Sequence, residues 1–168
     1  MDKYFIVGPM GAGKSTIGLL LAEALNLHFV DVDREIETRA GADIPWIFDV
    51  EGEAGFRRRE SQLLDELSQR DQIVLATGGG AVMKPENRQC LNRGFVIYLK
   101  TSVEAQLSRT RNDKRRPLLA SGNQAETLSK LIAVRAPVYE SLSDLTVETD
   151  GKQPRQVVKE LMPLLEKV

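Results

Sequence analysis

A glycine-rich loop between an apolar run and a helical pattern constrains the fold of this chain more than any other feature. Residues 8–15, GPMGAGKS, fit the phosphate-binding pattern G-x-x-x-x-G-K-[ST]. Glycines let the backbone turn tightly and bring its N–H groups close to phosphate oxygens, and the dipole of the following helix favours the same anion. The pattern therefore predicts a strand, a phosphate-binding loop (P-loop) and a helix in succession. In such a loop Lys14 reaches the β- and γ-phosphates of a nucleotide and Ser15 coordinates Mg²⁺.

The rest of the chain alternates between strand patterns and helix patterns. Short apolar runs predict five strands, at 4–7, 28–31, 73–77, 95–99 and 145–147. Helical periodicity starts at Lys14 and recurs near 33–40, over 52–68 and around 157–165, where Pro163 predicts a kink or an early end. Strands separated by helices predict an α/β fold with three layers, α/β/α, around a five-stranded parallel sheet. We expect one domain over 1–168.

Composition excludes several classes of protein. The 168 residues carry 23 Lys plus Arg against 24 Asp plus Glu, a net charge of −1, which argues against a nucleic-acid-binding protein with a broad basic face. A single cysteine, Cys90, cannot form an internal disulfide, and a single histidine, His28, cannot build a multi-histidine metal site. The longest apolar run, 95–99, is far shorter than a membrane span of about 20 residues, and no signal peptide is recognised. A cytoplasmic enzyme or binding module is predicted.

Two carboxylates, Asp31 and Asp33, come at the end of the second predicted strand. Two residues apart on an extended backbone, they would point the same way, toward the edge of the sheet where open α/β folds bind ligands. One carboxylate near a metal ion and one near an acceptor hydroxyl would suit phosphoryl transfer. A solvated loop pair or a helix cap is the alternative.

Glycine and arginine clusters are the other candidate site residues. The triple glycine 78–80 after the third strand permits close approach of a ligand, or is merely a tight turn. The segment 56–60, FRRRE, offers guanidinium groups to a carboxylate or phosphate, although Arg58 and Arg59 are expected to be surface charges. Residues 109–116, with five basic side chains, form either a solvated loop or a lid over the transferring phosphoryl group.

In combination, these motifs resemble the shikimate kinase family over essentially the whole chain. The resemblance rests on GPMGAGKSTIG at 8–18, FVDVDREIE at 29–37, GEAGFRRRE at 52–60, ATGGGAV at 76–82, RRPLL at 115–119 and VRAPVYE at 134–140. It implies a fold of the P-loop kinase type, with a mobile lid at about 110–124 and a substrate-binding segment at about 33–60. The implied reaction is Mg²⁺-dependent transfer of a phosphoryl group from ATP to the 3-hydroxyl of shikimate, giving shikimate 3-phosphate and ADP on the route to chorismate and the aromatic amino acids.

The resemblance also implies roles for individual residues. ATP would be bound by Gly11, Ala12, Gly13, Lys14, Ser15, Thr16, Arg109, Arg116 and Lys152. Shikimate would be bound by Asp33, Arg57, Gly79 and Arg135, with the two arginines on its carboxylate and Glu60 holding Arg57. One Mg²⁺ per subunit would be held by Ser15 and Asp31, since the third strand ends in Thr77 rather than in a Walker B aspartate. The implied catalytic residues are Lys14, Asp33 and Arg116.

Two other functions stay open at this point. A kinase of the same fold acting on gluconate or a nucleotide would share the P-loop and the lid but not the carboxylate-binding arginines. A nucleotide-dependent switch of the GTPase kind would need an Asn-Lys-x-Asp segment, which the sequence lacks. We expect a monomer that binds small molecules, without nucleic-acid or membrane partners. His28 is expected to be structural or exposed, Cys90 buried and inert, and Trp46 packed in the interior or against the substrate pocket.

Overall fold

The computed structural model describes residues 2–110 and 123–167. Its strands are β1 (Lys3–Val7), β2 (His28–Asp31), β3 (Ile73–Ala76), β4 (Phe95–Lys100) and β5 (Leu145–Glu148). They form one parallel sheet in the order β2-β3-β1-β4-β5. The predicted five-stranded parallel sheet is confirmed, and each strand lies within one residue of its predicted bounds.

Helices connect the strands. Within the described ranges they are α1 (Lys14–Leu25), α2 (Val32–Ala40), α3 (Ile44–Leu67), α4 (Pro85–Leu91), α5 (Val103–Thr110), α6 (Gln124–Leu142) and α7 (Pro154–Leu165), with a short 3₁₀ helix at Ala81–Met83. No helix in this part of the chain is long and apolar enough to cross a membrane. The predicted lid, about 110–124, falls almost wholly outside the described residues, and so does Arg116.

Two apolar cores, one on each face of the sheet, produce the predicted three layers. Side chains alternate along each strand, so that Phe5 and Val7 of β1 enter one core and Ile6 enters the other. The first core contains residues of α2, α3, α4 and α6, and the second contains residues of α1 and α7. Both faces of the sheet are therefore covered, as expected for parallel strands with near-continuous apolar sequences.

The strand order places a binding crevice next to the P-loop. After β1 the chain enters α1 on one face of the sheet, whereas after β3 it enters the 3₁₀ helix and α4 on the opposite face. Because β1 and β3 are neighbours, a crevice opens outside their carboxyl ends, where open α/β sheets bind ligands. The loop at 8–13 and the glycine turn at 78–80 both lie at this edge.

Five helices differ from the prediction. Helix α3 starts at Ile44, eight residues before the predicted start, and Gly52, with φ 73° and ψ 174°, breaks it into two halves. Helices α4, α5 and α6 were not among the helices predicted from periodicity. The early end predicted at Pro163 is wrong: α7 continues to Leu165, since only the carbonyl group of exposed Lys159 loses its donor there.

Candidate active site

A cleft of about 310 Å³ lies at the carboxyl ends of β1, β2 and β3. Its lining combines P-loop positions predicted to bind ATP with both predicted carboxylates: Gly11, Gly13, Lys14, Ser15, Thr16, Asp31, Asp33 and Arg109. Thr77 and Gly78 line the same cleft, so the turn after β3 borders the phosphate-binding loop. The structure thus brings together residues from four separate parts of the sequence, 11–16, 31–33, 77–78 and Arg109.

The P-loop has the backbone geometry that anion binding requires. Gly13 caps α1 with φ 86°, a conformation that residues with a Cβ rarely adopt, and no side chain caps the N–H groups of this helix end. The buried ammonium group of Lys14 donates to the carbonyl oxygens of Gly8 and Pro9, at 2.6 and 2.9 Å. The loop therefore presents backbone N–H groups, a helix dipole and a fixed positive charge at one place.

Ser15 and Asp31 form the pair predicted to hold a metal ion. The Ser15 hydroxyl donates a hydrogen bond to Oδ2 of Asp31, and Oδ1 of Asp31 accepts from the backbone N–H of Arg34 at 3.2 Å. Hard oxygen donors of this kind suit Mg²⁺, which takes one or two protein ligands and completes its shell with phosphate oxygens and water. The Thr77 hydroxyl donates to Ile6 O at 2.8 Å, which fixes this side chain at the end of β3.

Asp31 and Asp33 both line the cleft, but the backbone that carries them differs from the prediction. The extended backbone expected over both residues is wrong. Strand β2 ends at Asp31, which caps α2, and Asp33 lies in the first turn of that helix. The capping alternative is thus correct for Asp31. Oδ1 of Asp33 lies 2.9 Å from the point that a Cβ at Gly78 would occupy, so this carboxylate lies directly against the glycine turn.

Two arginines from distant parts of the chain meet at the glycine turn. A Cβ at Gly80 would lie 2.5 Å from Nη2 of Arg57 and 2.9 Å from Nη2 of Arg135, so only glycine leaves room for both guanidinium groups. A Cβ at Gly79 would lie 3.2 Å from Nη1 of Arg135. The predicted substrate-binding residues Arg57, Gly79 and Arg135 are therefore neighbours, beside Asp33.

Burial and charge make the arginine pair a strong anion site. Burial lowers the pKa of Arg135, and nearby Arg57 lowers it further. Arg57 donates to Oε1 of Glu60 at 2.9 Å, as predicted, and also pairs with Glu53 at 3.5 Å. Glu60 is fully buried, and this burial raises the pKa of its carboxyl group while Arg57 opposes the shift. Two adjacent guanidinium groups in a desolvated site favour a bound carboxylate.

Arg109 and Lys152 border a second cavity, of about 520 Å³, on the other side of the P-loop. Ala12, Gly13 and Thr16 share its wall. Arg109 donates to Gly11 O at 2.8 Å and to Thr149 O at 3.2 Å, which joins α5 to the P-loop and to the end of β5. The Lys152 ammonium group pairs with Glu160 at 2.8 Å. This cavity adjoins the P-loop where the remainder of a bound nucleotide would extend.

The sequence also made predictions about three residues outside the site. Trp46 is 53% exposed, so the expectation that it packs in the interior is wrong. His28 is exposed at the start of β2, as expected. Cys90 is buried, and its burial raises the pKa of the thiol, which agrees with an inert side chain.

A P-loop beside a serine–aspartate pair suits the magnesium complex of a nucleotide, and the arginine pair suits an anionic second substrate. Fold and site together define a P-loop kinase that acts on a small molecule.

Comparison with known proteins places the chain within that class. The family model for shikimate kinase matches residues 10–166. The shikimate kinase of Hahella chejuensis is 57% identical over 161 residues, which span 95% of this chain and 84% of that protein. The structure of shikimate kinase from Acinetobacter baumannii in complex with shikimate matches with a TM-score of 0.97 at 47% identity, covering 99% of this chain and 94% of that one. Shikimate kinase from Aquifex aeolicus matches with a TM-score of 0.85 at 36% identity, covering 98% and 96%. The chain belongs to the shikimate kinase family.

Proposed function

We propose that this member of the family, which phosphorylates shikimate with ATP, transfers the γ-phosphoryl group to the 3-hydroxyl of shikimate in the cleft between the P-loop and the arginine pair. The observation that carries the proposal is the convergence of Arg57 and Arg135 on the glycine turn, at the same sheet edge as the P-loop. An anionic acceptor held there lies next to the phosphates of a nucleotide held by the loop. The product on this account is shikimate 3-phosphate, an intermediate on the route to chorismate and the aromatic amino acids.

The nucleotide side of the site is built from the P-loop and two later basic residues. Backbone N–H groups of 11–16 bind the phosphates, and Lys14 supplies positive charge to the β- and γ-phosphates. Arg109 contacts the P-loop through Gly11 O, which supports a role for its guanidinium group beside the adenine. Lys152, in the wall of the same cavity, is proposed to contact the nucleotide. Arg116 lies outside the described residues, and its role at the phosphates rests on the family resemblance.

Mg²⁺ is proposed to bind at Ser15 and Asp31, one ion per subunit. The pair offers a hydroxyl and a carboxylate to the same side of the cleft, which fits an ion that also binds phosphate oxygens. When bound, the ion neutralises charge on the transferring phosphoryl group. Asp31 takes this supporting role because Thr77 stands where an aspartate occurs in many P-loop ATPases.

The acceptor side holds the carboxylate of shikimate and orients its hydroxyl groups. Arg57 and Arg135 bind the carboxylate, Glu60 holds Arg57 in place, and Gly79 provides backbone beside the ring. Asp33 binds the hydroxyl groups and orients the 3-hydroxyl for attack. In the reaction the 3-oxygen forms a bond to the γ-phosphorus while the bond from that phosphorus to the bridging oxygen of ADP breaks. The hydroxyl proton passes to Asp33.

The role of the arginine pair can be tested with the acceptor itself. The methyl ester of shikimate keeps all three hydroxyl groups and removes the negative charge. We expect its KM to exceed that of shikimate by about 100-fold, because charge-assisted hydrogen bonds to two guanidinium groups are lost. The kcat at saturation should change much less, since the 3-hydroxyl is unaltered. Equal KM values for the acid and the ester would show that the arginines do not bind the carboxylate.

Asp33→Asn keeps the size of the side chain and removes its charge and basicity. We expect kcat to fall about tenfold and the KM for ATP to stay within twofold, because phosphoryl transfer relies more on positioning and charge than on a base. Steady-state kinetics with both substrates varied give these values. The matched control is Asp43→Asn, which makes the same change at the aspartate that caps α3, outside the cleft lining. Near-normal turnover of Asp33→Asn would show that Asp33 has only a structural role.

The organisation of the chain around this site is also a proposal. We infer one domain over 1–168 in which the segment 33–60 binds the acceptor, since it contributes Asp33, Arg57 and Glu60. We also propose that the enzyme is a cytoplasmic monomer. The large apolar side chains that are exposed in the described ranges are spread over several helices: Leu19, Trp46, Val50, Met83, Val134 and Leu164. Light scattering after gel filtration gives the mass in solution, and a dimer would contradict the monomer.

A further inference from the structure

Tyr139 is a buried residue of the segment VRAPVYE that the proposed reaction does not use. It lies on α6 one helical turn after Arg135, so both side chains leave the same side of the helix. Its side chain has no exposed surface, and its ring packs against Tyr98 of β4 with the centroids 5.0 Å apart. The ring therefore belongs to the core, while the hydroxyl group points to the glycine turn.

The hydroxyl group of Tyr139 connects two parts of the acceptor site. It donates a hydrogen bond to the carbonyl oxygen of Gly79, 2.5 Å away. Arg135 lies at the same residue, because its Nη1 is 3.2 Å from the point that a Cβ at Gly79 would occupy. The phenol and the guanidinium group therefore meet at the glycine turn.

Arg135 needs such an anchor because its neighbour carries the same charge. Arg57 is held by the carboxylates of Glu60 and Glu53, whereas Arg135 packs against the glycine turn that the Tyr139 hydroxyl holds. Two like charges that both lie within about 3 Å of one point at Gly80 repel each other when no anion is bound. An arginine side chain without this support would rotate away and lose order, and a bound substrate would have to order it again.

We propose that Tyr139 is a positioning residue for shikimate binding, whose hydroxyl group holds the turn at Gly79 against which Arg135 packs. The inference rests on the proposed roles of Arg135 and Gly79. It assigns to Tyr139 no contact with substrate and no proton transfer. Its effect is on the orientation of the guanidinium group that receives the substrate carboxylate, and on the position of the glycine turn relative to α6.

Tyr139→Phe removes the hydroxyl group and keeps the ring in the core. We expect the KM for shikimate to rise about tenfold, because the turn that orients Arg135 loses this hydrogen bond in the free enzyme. The kcat and the KM for ATP should stay within twofold, since the P-loop and Asp33 are unaltered. Tyr98→Phe is the matched control, because it removes the hydroxyl group of the adjoining buried tyrosine, and it should leave the KM for shikimate unchanged. A KM for Tyr139→Phe equal to that of the wild type would overturn the inference.

A double-mutant cycle with Arg135→Ala distinguishes positioning from a general loss of packing. If Tyr139 acts through Arg135, adding Tyr139→Phe to Arg135→Ala raises the KM for shikimate by less than twofold. A further tenfold rise in that background would overturn the inference, because the phenol would then act independently of Arg135. Wild-type turnover of shikimate is measured in the same experiment. Its absence would overturn the proposed function and the inference together, whereas normal wild-type turnover with no effect of Tyr139→Phe overturns the inference alone.

Discussion

Replacing Lys14 by methionine is expected to lower kcat about a thousandfold, because the variant loses the charge that stabilises the transferring phosphoryl group. Methionine is of similar length and keeps the buried stem of the side chain packed. The carbonyl oxygens of Gly8 and Pro9 lose their ammonium donor, at a cost of about 1–3 kcal/mol for each buried acceptor left without a partner. In a chain of this size each kcal/mol lowers Tm by roughly 2–4 °C, so the variant should still be folded at 25 °C.

The measurement is single-turnover and steady-state kinetics beside a thermal melt. Lys159→Met is the matched control, since Lys159 is an exposed lysine of α7 outside the cleft, and it should keep the wild-type kcat. An unchanged kcat for Lys14→Met would show that Lys14 takes no part in the reaction. A loss of the folded state in place of a loss of turnover would assign Lys14 to the stability of the loop.

Replacing Arg57 by alanine is expected to raise the KM for shikimate about 100-fold and to leave the KM for ATP within twofold. The guanidinium group lies at the glycine turn, 14% exposed, and does not line the P-loop cleft. Arg58→Ala is the matched control, because Arg58 is the exposed neighbour on the same helix. Equal rises in the KM for shikimate and in the KM for ATP would contradict binding of the shikimate carboxylate by Arg57.

Arg57→Ala should also make stability depend more steeply on pH than in the wild type. Burial already raises the pKa of Glu60, and removing Arg57 raises it further because the guanidinium group opposes the shift. The folded state then binds a proton that the unfolded state releases, so the free energy of unfolding falls as the pH rises above the ordinary pKa of a glutamate. Urea titrations between pH 5 and pH 8 measure this slope. Adding Glu60→Gln should abolish it, and a slope that persists would mean that another group is responsible.

The features that the sequence predicted correctly are local. The P-loop and the five strands are short segments whose own residues specify their structure, and alternation such as Phe5, Ile6 and Val7 arises because each strand contacts a core on both faces. The resemblance to shikimate kinases predicted which residues form the site and what each of them does. It identified Arg57 and Arg135 as partners although 77 intervening residues separate them, which no periodicity reveals.

The features that the sequence did not predict depend on tertiary structure. Gly52 breaks α3 at a position where a glycine inside a helical pattern is often merely tolerated, so the helix before it was not recognised. Trp46 was expected to pack, in the interior or against the substrate pocket, because it lies between Ile44 and Ile47, yet the half-helix before Gly52 turns it to solvent. The contact of Tyr139 with Gly79 joins residues 60 positions apart, and the motif alone could not distinguish a core tyrosine from one that serves the site.

The most direct test of the account is ADP release from Mg-ATP by the purified protein, measured in parallel with shikimate, gluconate, a nucleoside monophosphate and no acceptor. We predict rapid ADP release with shikimate alone, because its rigid ring fixes the carboxylate for the arginine pair at a set distance from the hydroxyl group for Asp33. Gluconate also carries a carboxylate and hydroxyl groups, but on a flexible open chain. The rate without acceptor should be low, since a coupled kinase protects ATP from hydrolysis. Similar rates in all four reactions would contradict the account. They would indicate an uncoupled ATPase, for which only the role of the phosphate-binding loop would still be supported.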